Sequence, residues 1–288
     1  MAKKSFSTGK TEIKQTRDGS DTLISDAFDQ PYHSLGGAVA ESRYVYFEMN
    51  GLIDALSAGE DLCILEIGFG TGMNLVLLLD YLSKSTNKPN ITFISVEAWP
   101  IEPETAKSLN FGEEIGYQGY NSLLETIFTD LKPGWNQITV TDQVTLLLFI
   151  GTFSEMNFIS GNQLNAESEP SDTSDLTETT TGDKIINQPF DFVLHDPFSP
   201  ESNPVGWTPE LFSKIAAFAS DNAMLTTYSA ATSARAAMAS AGWYVARAPG
   251  ALGKREMTVA SKNPEKLSNL KRVNEERLVE RLKKGDFG

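Results

Sequence analysis

The chain has 288 residues, enough for one large α/β domain with appendages, and 40% of them are hydrophobic, as in ordinary globular proteins. Its formal net charge of −14 argues against nonspecific nucleic-acid binding, which depends on neutralising phosphates with Lys and Arg. One cysteine excludes an intramolecular disulfide, and with only two histidines we expect no metal. The chain has no membrane-length apolar run and no apolar signal region at its start, so we expect a cytoplasmic protein that does not enter a membrane.

Basic residues concentrate at both ends of this acidic chain. The first 17 residues hold five Lys and Arg, and residues 262–288 hold eight against five acids. Two interpretations remain open, a solvated terminus at each end or a patch that contacts RNA.

The N-terminal part predicts a β-ribbon followed by a βαβ order. Residues 12–24 alternate around Asp18-Gly19, a favoured two-residue hairpin turn, so residues 1–36 are expected to form a β extension. From residue 37 the pattern turns helical. The elements predicted next are a strand at 62–66, a helix at 74–83, a strand at 91–97, a helix at 119–131 and two β-rich stretches within 137–150.

Residues 160–183 interrupt this order with a Ser-, Thr-, Glu- and Asp-rich stretch that lacks apolar periodicity, which predicts a flexible insertion. Its acidic residues either shield a basic site or form a solvated, dispensable loop. The βα order then resumes, which predicts a mostly parallel sheet with helices on both faces over 37–261 and a basic helical tail over 262–288. The later predicted elements are a strand at 190–196, a helix at 208–220, a strand at 223–229, an alanine-rich helix capped by Ser229 and ended by Gly242, and strands at 243–247 and 256–261.

The turn after the first βαβ strand reads Glu66-Ile67-Gly68-Phe69-Gly70-Thr71-Gly72-Met73. Glycine permits positive φ and leaves bare backbone that a ligand can approach at a helix N-terminus. A dinucleotide fingerprint, G-x-G-x-x-G, would need glycine where Met73 stands. The run is E-x-G-x-G-x-G and resembles motif I of class I S-adenosylmethionine-dependent methyltransferases. An NAD site and a glycine-rich turn without a ligand remain alternatives.

Four further segments narrow the family. Residues 191–212 resemble the D-x-F-x-P-x-x-N-P-x-x-W-T-x-x-L-F segment of the bacterial tRNA 5-aminomethyl-2-thiouridine methyltransferases. Residues 68–74 resemble that family's G-F-G-T-G-x-N, residues 32–46 its N-terminal motif, and residues 253–257 its closing K-R-E-M. The match covers about residues 29–261. No second dinucleotide fingerprint follows, so the chain resembles the stand-alone methyltransferase form, without the FAD-dependent oxidase half of the bifunctional enzyme.

The resemblance implies a Rossmann-like class I methyltransferase fold with S-adenosylmethionine as cofactor. It implies methylation of the exocyclic amine of 5-aminomethyl-2-thiouridine at the tRNA wobble position, giving 5-methylaminomethyl-2-thiouridine. The expected partners are tRNA and a separate enzyme that supplies the aminomethyl intermediate. Two alternatives remain, a methyltransferase that acts on another amine and a noncatalytic relative that binds RNA or the donor.

Asp196 is the expected catalytic residue, because it ends the fourth strand of the parallel set at the sheet edge where open α/β folds bind ligands. An ordinary carboxylate is a weak base, so we expect it to orient the amine and accept its hydrogen bond; a strand-end cap is the alternative. The family's usual G-D after the strand at 146–150 is Gly151-Thr152 here, which leaves Glu155 as a possible substitute near adenine. The expected cofactor-binding residues are Gly68, Gly70, Gly72, Glu97 (for the ribose hydroxyls), Thr152 and Glu66, which is expected to orient either the loop or the amino group of the donor.

The acceptor is expected to contact Phe198 by stacking, and His33 at the mouth of the site. Core packing for Phe198 and a capping role for His33 are alternatives. Lys254 and Arg255, in the loop between the last two strands, are expected to contact phosphates, or else to pair with the acidic surface. We expect His195 to point away from Asp196, since neighbours along a strand face opposite sides, and Trp207 to pack.

Overall fold

The computed structural model describes residues 9–160, 183–186 and 188–287. Its centre is a nine-stranded sheet. The strands of this sheet are β4 (Leu62–Ile67), β5 (Ile91–Glu97), β6 (Gly134–Thr139), β7 (Val144–Ile150), β10 (Phe190–His195), β11 (Ala219–Thr227), β12 (Tyr244–Ala248), β13 (Met257–Ser261) and β14 (Lys271–Arg272). They lie in the order β14-β12-β13-β11-β10-β4-β5-β7-β6. The five central strands, from β11 to β7, are parallel, and the flanking strands pair antiparallel.

Helices cover both faces of this sheet, as the two buried apolar clusters show. The helices are α1 (Ala38–Arg43), α2 (Leu52–Ala58), α3 (Met73–Lys84), α4 (Pro103–Ser108), α5 (Tyr120–Thr129), α6 (Pro209–Phe218), α7 (Thr232–Ser240) and α8 (Glu275–Lys283). Helices α1 to α5 contribute side chains to one cluster, and α6 and α7 contribute to the other. Because β4 is buried on both faces, its residues alternate between the clusters, with Ile64 in one and Leu65 in the other.

The N-terminal segment forms the β-ribbon that the sequence predicts. Strand β1 (Thr11–Gln15) pairs antiparallel with β2 (Asp21–Ser25), and β3 (Gln30–Pro31) pairs with β2. The predicted two-residue turn at Asp18-Gly19 is wrong, because Gln15 pairs with Asp21 and five residues make the loop. The Asp18 carboxylate holds this loop by accepting from Ser20 N at 3.0 Å, and it also accepts from Ala40 N in α1 at 3.0 Å.

A one-turn π-helix (Tyr44–Glu48) directly continues α1. Wider helical turns of this kind often occur at functional sites, because they redirect side chains out of the α-helical register. Val45, Tyr46 and Phe47 in this turn are buried. The segment therefore brings Tyr46 into the interior of the molecule.

Several other elements differ from their predicted form. Ser229 does not cap α7, since Ala231 is the N-cap residue and Ser229 Oγ accepts only from Ala231 N at 3.3 Å. The tail is not wholly helical, because β14 pairs with β12 and adds an edge strand before α8. Of the predicted insertion, residues 161–182 lie outside the described residues; β8 (Asn157–Ser160) and β9 (Asp183–Ile186) flank them as a parallel pair.

Candidate functional site

Two cavities meet at the carboxyl edge of the sheet, each with a volume of about 290 Å³. The first, which we call the loop cavity, is lined by Gly68 and Gly70 of the glycine turn, Glu97 and Thr152. The second, the side cavity, is lined by N-terminal residues that include Glu41 and by Lys254. Residues shared by both cavities are Tyr32, His33, Asp196, Pro197 and Phe198.

The glycine turn lies directly against the end of β10. Gly68 has a φ of 95°, and a Cβ on it would lie 2.8 Å from the carbonyl oxygen of Asp196. Asp196 N donates to Ile67 O at 2.9 Å across the same junction. Only glycine permits this approach, which places the predicted catalytic carboxylate beside the predicted cofactor loop.

Glu97, at the end of β5, fixes the loop from the other side. Its Oε2 accepts from Gly70 N at 2.8 Å, and its Oε1 accepts from Trp99 N at 2.7 Å. Burial raises the pKa of this carboxyl, while the backbone donors oppose the rise. A carboxylate has about four acceptor positions, and the backbone N–H groups of Gly70, Ala98 and Trp99 act on this one, so one acceptor position remains for a ligand in the loop cavity.

Two predicted cofactor residues lie beneath the loop and do not line the loop cavity. Gly72 has a φ of 77° at the N-cap of α3, and a Cβ on it would lie 2.6 Å from Leu124 of α5. Glu66 is 1% exposed and accepts from Asn74 Nδ2 at 2.9 Å and from Ser95 Oγ at 2.6 Å. Burial raises its pKa to about 8. Both residues therefore lie where they support the loop. For Glu66 this position favours the loop-orienting role, one of the two roles expected of it, and direct cofactor contact of either residue stays a prediction.

Thr152 lines the loop cavity, whereas Glu155 does not. Glu155 Oε2 instead accepts from Thr152 N and from Thr152 Oγ1, both at 2.8 Å. This carboxylate therefore stabilises the turn that carries Thr152. The interpretation that Glu155 takes the place of the family's adenine-contacting acid finds no support in this arrangement.

Asp196 is the residue on which the two cavities converge. Tyr46 donates its hydroxyl to Asp196 Oδ1 at 2.6 Å. Burial raises the pKa of Asp196 to about 8, while the Tyr46 hydrogen bond and the Lys254 charge act in the opposite direction. A carboxyl with this pKa is a much better base at neutral pH than an ordinary aspartate, since catalytic bases work best when their pKa lies near the working pH.

An ion pair joins opposite walls of the side cavity. Lys254 Nζ donates to Glu41 Oε1, and the same ammonium lies 6.0 Å from the ring centre of Tyr228. The Glu41 side chain is 10% exposed and the Lys254 side chain 47% exposed. Lys254 thus lines the predicted acceptor region, whereas Arg255 is exposed and lines neither cavity.

Aromatic rings form the wall between the two cavities. Phe198 stacks on Phe28 with ring centres 4.2 Å apart, and Tyr32 meets Phe198 edge-on at 5.0 Å. Phe198 lines both cavities, so its ring is a wall as well as a packing element. The nearby Trp207 is 5% exposed and donates from Nε1 to Phe198 O at 2.8 Å, which agrees with the predicted packing role.

The two histidines lie on opposite sides of the sheet edge. His33 lines both cavities, and its Nε2 lies 2.9 Å from Thr71 Oγ1 of the glycine turn; burial lowers its pKa to about 4. His195 is fully buried against Trp207, with ring centres 4.5 Å apart, and burial lowers its pKa to about 3. His195 points away from Asp196 and contacts neither cavity.

Sequence reasoning missed the roles of Tyr46 and Tyr228. Tyr46 falls inside the N-terminal motif at residues 32–46, which could have indicated it, although nothing in that motif shows that it reaches a strand end 150 positions later. Tyr228 lines the side cavity and donates to Pro197 O at 2.8 Å. It directly follows β11, and the ends of neighbouring parallel strands meet at one edge, which is the signal that would have found it.

The loop cavity fits S-adenosylmethionine by the chemistry of its lining. Bare backbone at Gly68 and Gly70 faces the space where a methionine chain would lie, and Glu97 offers acceptors to a ribose diol. Phe153 and Leu211 supply apolar surface near Thr152 for a purine. Within the described ranges, no cluster of His, Cys, Asp and Glu could hold a metal ion. No helix in the same part of the chain is long and apolar enough to cross a membrane.

Comparison with known proteins agrees with this site. A family model described as S-adenosyl-L-methionine-dependent methyltransferase matches residues 174–263. The chain is 30% identical over 254 residues to the tRNA 5-methylaminomethyl-2-thiouridine biosynthesis bifunctional protein MnmC of Hydrogenovibrio crunogenus, covering 86% of this chain and 33% of that protein. It is 29% identical over 242 residues to the protein of the same name from Cupriavidus metallidurans, covering 83% and 32%. The chain thus spans about a third of the length of these curated relatives.

A solved structure extends the similarity to the fold. The crystal structure of MNMC2 from Aquifex aeolicus superposes with a TM-score of 0.64 at 26% identity, covering 95% of this chain and 76% of that one. The predicted class I methyltransferase fold, family and S-adenosylmethionine cofactor are therefore confirmed. The chain belongs to the S-adenosylmethionine-dependent methyltransferases, in the family that includes the matching third of these bifunctional proteins.

Proposed function

We propose that this chain methylates the exocyclic primary amine of 5-aminomethyl-2-thiouridine at the wobble position of tRNA. The observation that carries the proposal is the position of Asp196 where the loop cavity and the side cavity join. A donor in one cavity and an amine in the other would meet at this carboxylate. The MnmC relatives are named for biosynthesis of the methylaminomethyl base, which supports the same acceptor.

An amine acceptor needs a group that removes a proton. An alkylamine has a pKa near 10, like lysine, so it arrives as an ammonium ion without a free electron pair at neutral pH. Asp196, with its pKa raised to about 8 by burial, would take that proton. Tyr46 would hold the carboxylate in place through its 2.6 Å hydrogen bond to Oδ1.

S-adenosylmethionine, when bound, supplies an electrophilic methyl group on a positively charged sulfur. The residues of the chain would then orient the acceptor and keep water away from the reacting atoms. In the loop cavity, Gly68 and Gly70 would contact the methionine part, Glu97 the ribose hydroxyls and Thr152 the adenine end. Glu66 and Gly72 would act indirectly, by holding the loop.

The acceptor base would lie in the side cavity against aromatic rings. Bases taken out of a stacked helix are commonly held between aromatic side chains, and Phe198 with Tyr32 offers such a surface. His33 would line the entrance. Lys254 and Arg255 would contact phosphates, because both follow β12 in the loop that leads into β13 at the site edge.

This function implies which partners the chain has and where in the cell it acts. Its partners would be tRNA and a separate enzyme that installs the aminomethyl group, and such a substrate would place the reaction in the cytoplasm. Residues 1–36 would complete the site as an extension of the methyltransferase domain at 37–261, while the basic residues of 262–288 would offer further charge to RNA.

The test supplies the protein with S-adenosylmethionine carrying a labelled methyl group and with two tRNA pools. One pool comes from cells that stop at the aminomethyl intermediate, and the other from cells that cannot make that intermediate. We expect label only in the first pool. Equal labelling of both pools, or label in neither while a known family member labels the first, would contradict the proposed acceptor.

A further inference from the structure

Resting on the proposed function, we infer that Glu41 is a specificity-determining residue which, together with Asp196, selects a primary amine and stops the reaction after one methyl group. Both carboxylates line the side cavity, and both lie close enough to the Tyr228 hydroxyl to act on it electrostatically. No function above requires a second carboxylate at this place. Its position next to the expected acceptor amine therefore calls for a role.

Glu41 is an almost buried carboxylate whose partner, Lys254, is half-exposed. The Glu41 side chain is 10% exposed. Among the described residues, the one hydrogen bond that this side chain accepts comes from the ammonium group of Lys254. The Lys254 side chain is 47% exposed and reaches the cavity from a loop. A primary ammonium group already donates to one acceptor position of Glu41, so this carboxylate is placed to accept a hydrogen bond from a primary amine in the side cavity.

The number of N–H groups explains why two acceptors select a primary amine. A neutral primary amine that aims its electron pair at the methyl group keeps two N–H bonds, one for Asp196 and one for Glu41. A secondary amine in the same pose keeps only one N–H bond. Its extra methyl group would displace a hydrogen bond and leave one buried carboxylate without a donor, which costs about 1–3 kcal/mol.

Methyl transfer moves the positive charge from sulfur to the acceptor nitrogen. The nitrogen electron pair forms the new N–C bond while the C–S bond breaks, and the electron pair of that bond stays on sulfur, which becomes a neutral thioether. Asp196 already holds the proton that it took from the acceptor, so the positive charge that develops on nitrogen is stabilised by the Glu41 carboxylate, and Asp196 returns its proton to solvent before the next turnover. The product is a secondary ammonium ion, which loses a proton to solvent after release.

The experiment compares two tRNA substrates, one with the primary aminomethyl group and one with the methylated secondary amine. For each variant we measure kcat/KM on both substrates with labelled S-adenosylmethionine and identify the nucleosides. The wild type is expected to make the monomethyl product only. In Glu41→Ala, the preference for the primary amine should fall roughly 10- to 100-fold, and a dimethylated nucleoside should appear.

Three further variants separate the acceptor from the ion pair. Glu41→Gln keeps a carbonyl acceptor and should retain most of the preference. Lys254→Met removes the ion pair but keeps the Glu41 carboxylate, so the preference should also remain. Glu114→Ala breaks the 2.8 Å ion pair between Glu114 and Arg43 of the same α1 helix and is the matched control outside both cavities; its preference should equal that of the wild type.

Several results would overturn the inference. One is a Glu41→Ala preference within twofold of the wild type. Another is complete loss of methylation in Glu41→Ala and Glu41→Gln while both variants keep their fold and bind the donor, since that would make Glu41 essential to the chemistry. A third is a dimethylated product from the wild type. Each leaves the proposed function standing, whereas a wild type that methylates neither tRNA removes the proposed function itself.

Discussion

The loop cavity and the side cavity are built in different ways. In the loop cavity, the wall at the glycine turn is built mainly from backbone, and that turn spans a few consecutive residues. One carboxylate, Glu97, holds this turn by accepting a hydrogen bond from Gly70 N. The side cavity depends on ionisable side chains from distant segments, such as Glu41 and Lys254, which are 213 positions apart. A short stretch of sequence can therefore encode the cofactor side of the site, whereas the acceptor side needs segments that only the fold brings together.

The largest expected effect comes from Asp196, one of the five residues that line both cavities. Asp196→Ala should reduce kcat by at least about 100-fold, because general-base catalysis contributes this much, while donor affinity stays within about threefold. Rate and isothermal titration measurements check both parts. Asp191→Asn, at the start of the same strand, is the control and should keep normal turnover.

Asp196→Asn separates the two roles that sequence analysis left open. Asparagine keeps an acceptor for the Tyr46 hydroxyl but cannot take a proton. If Asp196 removes the proton from the acceptor, Asp196→Asn should be nearly as slow as Asp196→Ala. Turnover close to that of the wild type would show that orientation alone is needed.

The second effect tests the loop cavity alone. Glu97→Ala should weaken donor binding by roughly 10- to 100-fold, because the ribose hydroxyls lose their acceptor and Gly70 N loses the partner that holds the loop. Glu104→Ala, an exposed acid on α4, is the control. Glu155→Ala should have a smaller effect than Glu97→Ala, since Glu155 supports the Thr152 turn; an equal effect would restore Glu155 as a direct donor contact.

The third effect is a shift in the pH dependence of the reaction. Below pH 8 the Asp196 carboxyl keeps its own proton and cannot accept another, so kcat/KM should rise with pH and level off near the Asp196 pKa of about 8. The Tyr46 hydrogen bond lowers this pKa, so Tyr46→Phe should move the midpoint upward by about one pH unit.

The matched control for Tyr46→Phe is Tyr44→Phe. The Tyr44 hydroxyl donates to Pro249 O at 3.2 Å and lines neither cavity, so its removal should leave the midpoint unchanged. A downward shift in Tyr46→Phe, or the same shift in both variants, would argue against the direct Tyr46 to Asp196 contact as the cause.

The smallest effect concerns RNA binding at the rim. Arg255→Ala should weaken tRNA binding a few-fold and lower the slope of log Kd against log salt by about one, the amount expected for one lost phosphate contact. Lys266→Ala is the control, because Lys266 is exposed and lies beyond β13 at the opposite edge of the sheet. Equal slopes for Arg255→Ala and the wild type would return Arg255 to the solvated surface.

The sequence predicted the loop cavity better than the side cavity for a physical reason. The parallel strand order and the glycine turn follow from local patterns, and Gly68, Gly70, Glu97 and Thr152 all lie in the cavity wall. That these residues bind the cofactor stays a prediction. Gly72 does not line the cavity because Leu124 of α5 fills its side of the turn, which spacing alone does not show. The polar partners that hold Glu66 beneath the loop, Asn74 and Ser95, become its neighbours only in the fold.

The side cavity required information that lies in tertiary packing. Asp196 was predicted from its strand end, but its raised pKa depends on burial and on Tyr46, which reaches it through the π-helical turn. The β14 edge strand was missed because it has only two residues, too few for any alternation to show.

The identity of the methylated nucleoside is the decisive measurement for the proposed acceptor and for the role of Asp196. Wild type and Asp196→Asn are incubated with labelled S-adenosylmethionine and tRNA that carries 5-aminomethyl-2-thiouridine, and the digested nucleosides are separated and fragmented. We predict that the wild type places one methyl group on the exocyclic nitrogen of the wobble base and that Asp196→Asn places almost none. A methyl group on any other atom, or equal product from both proteins, would contradict the account.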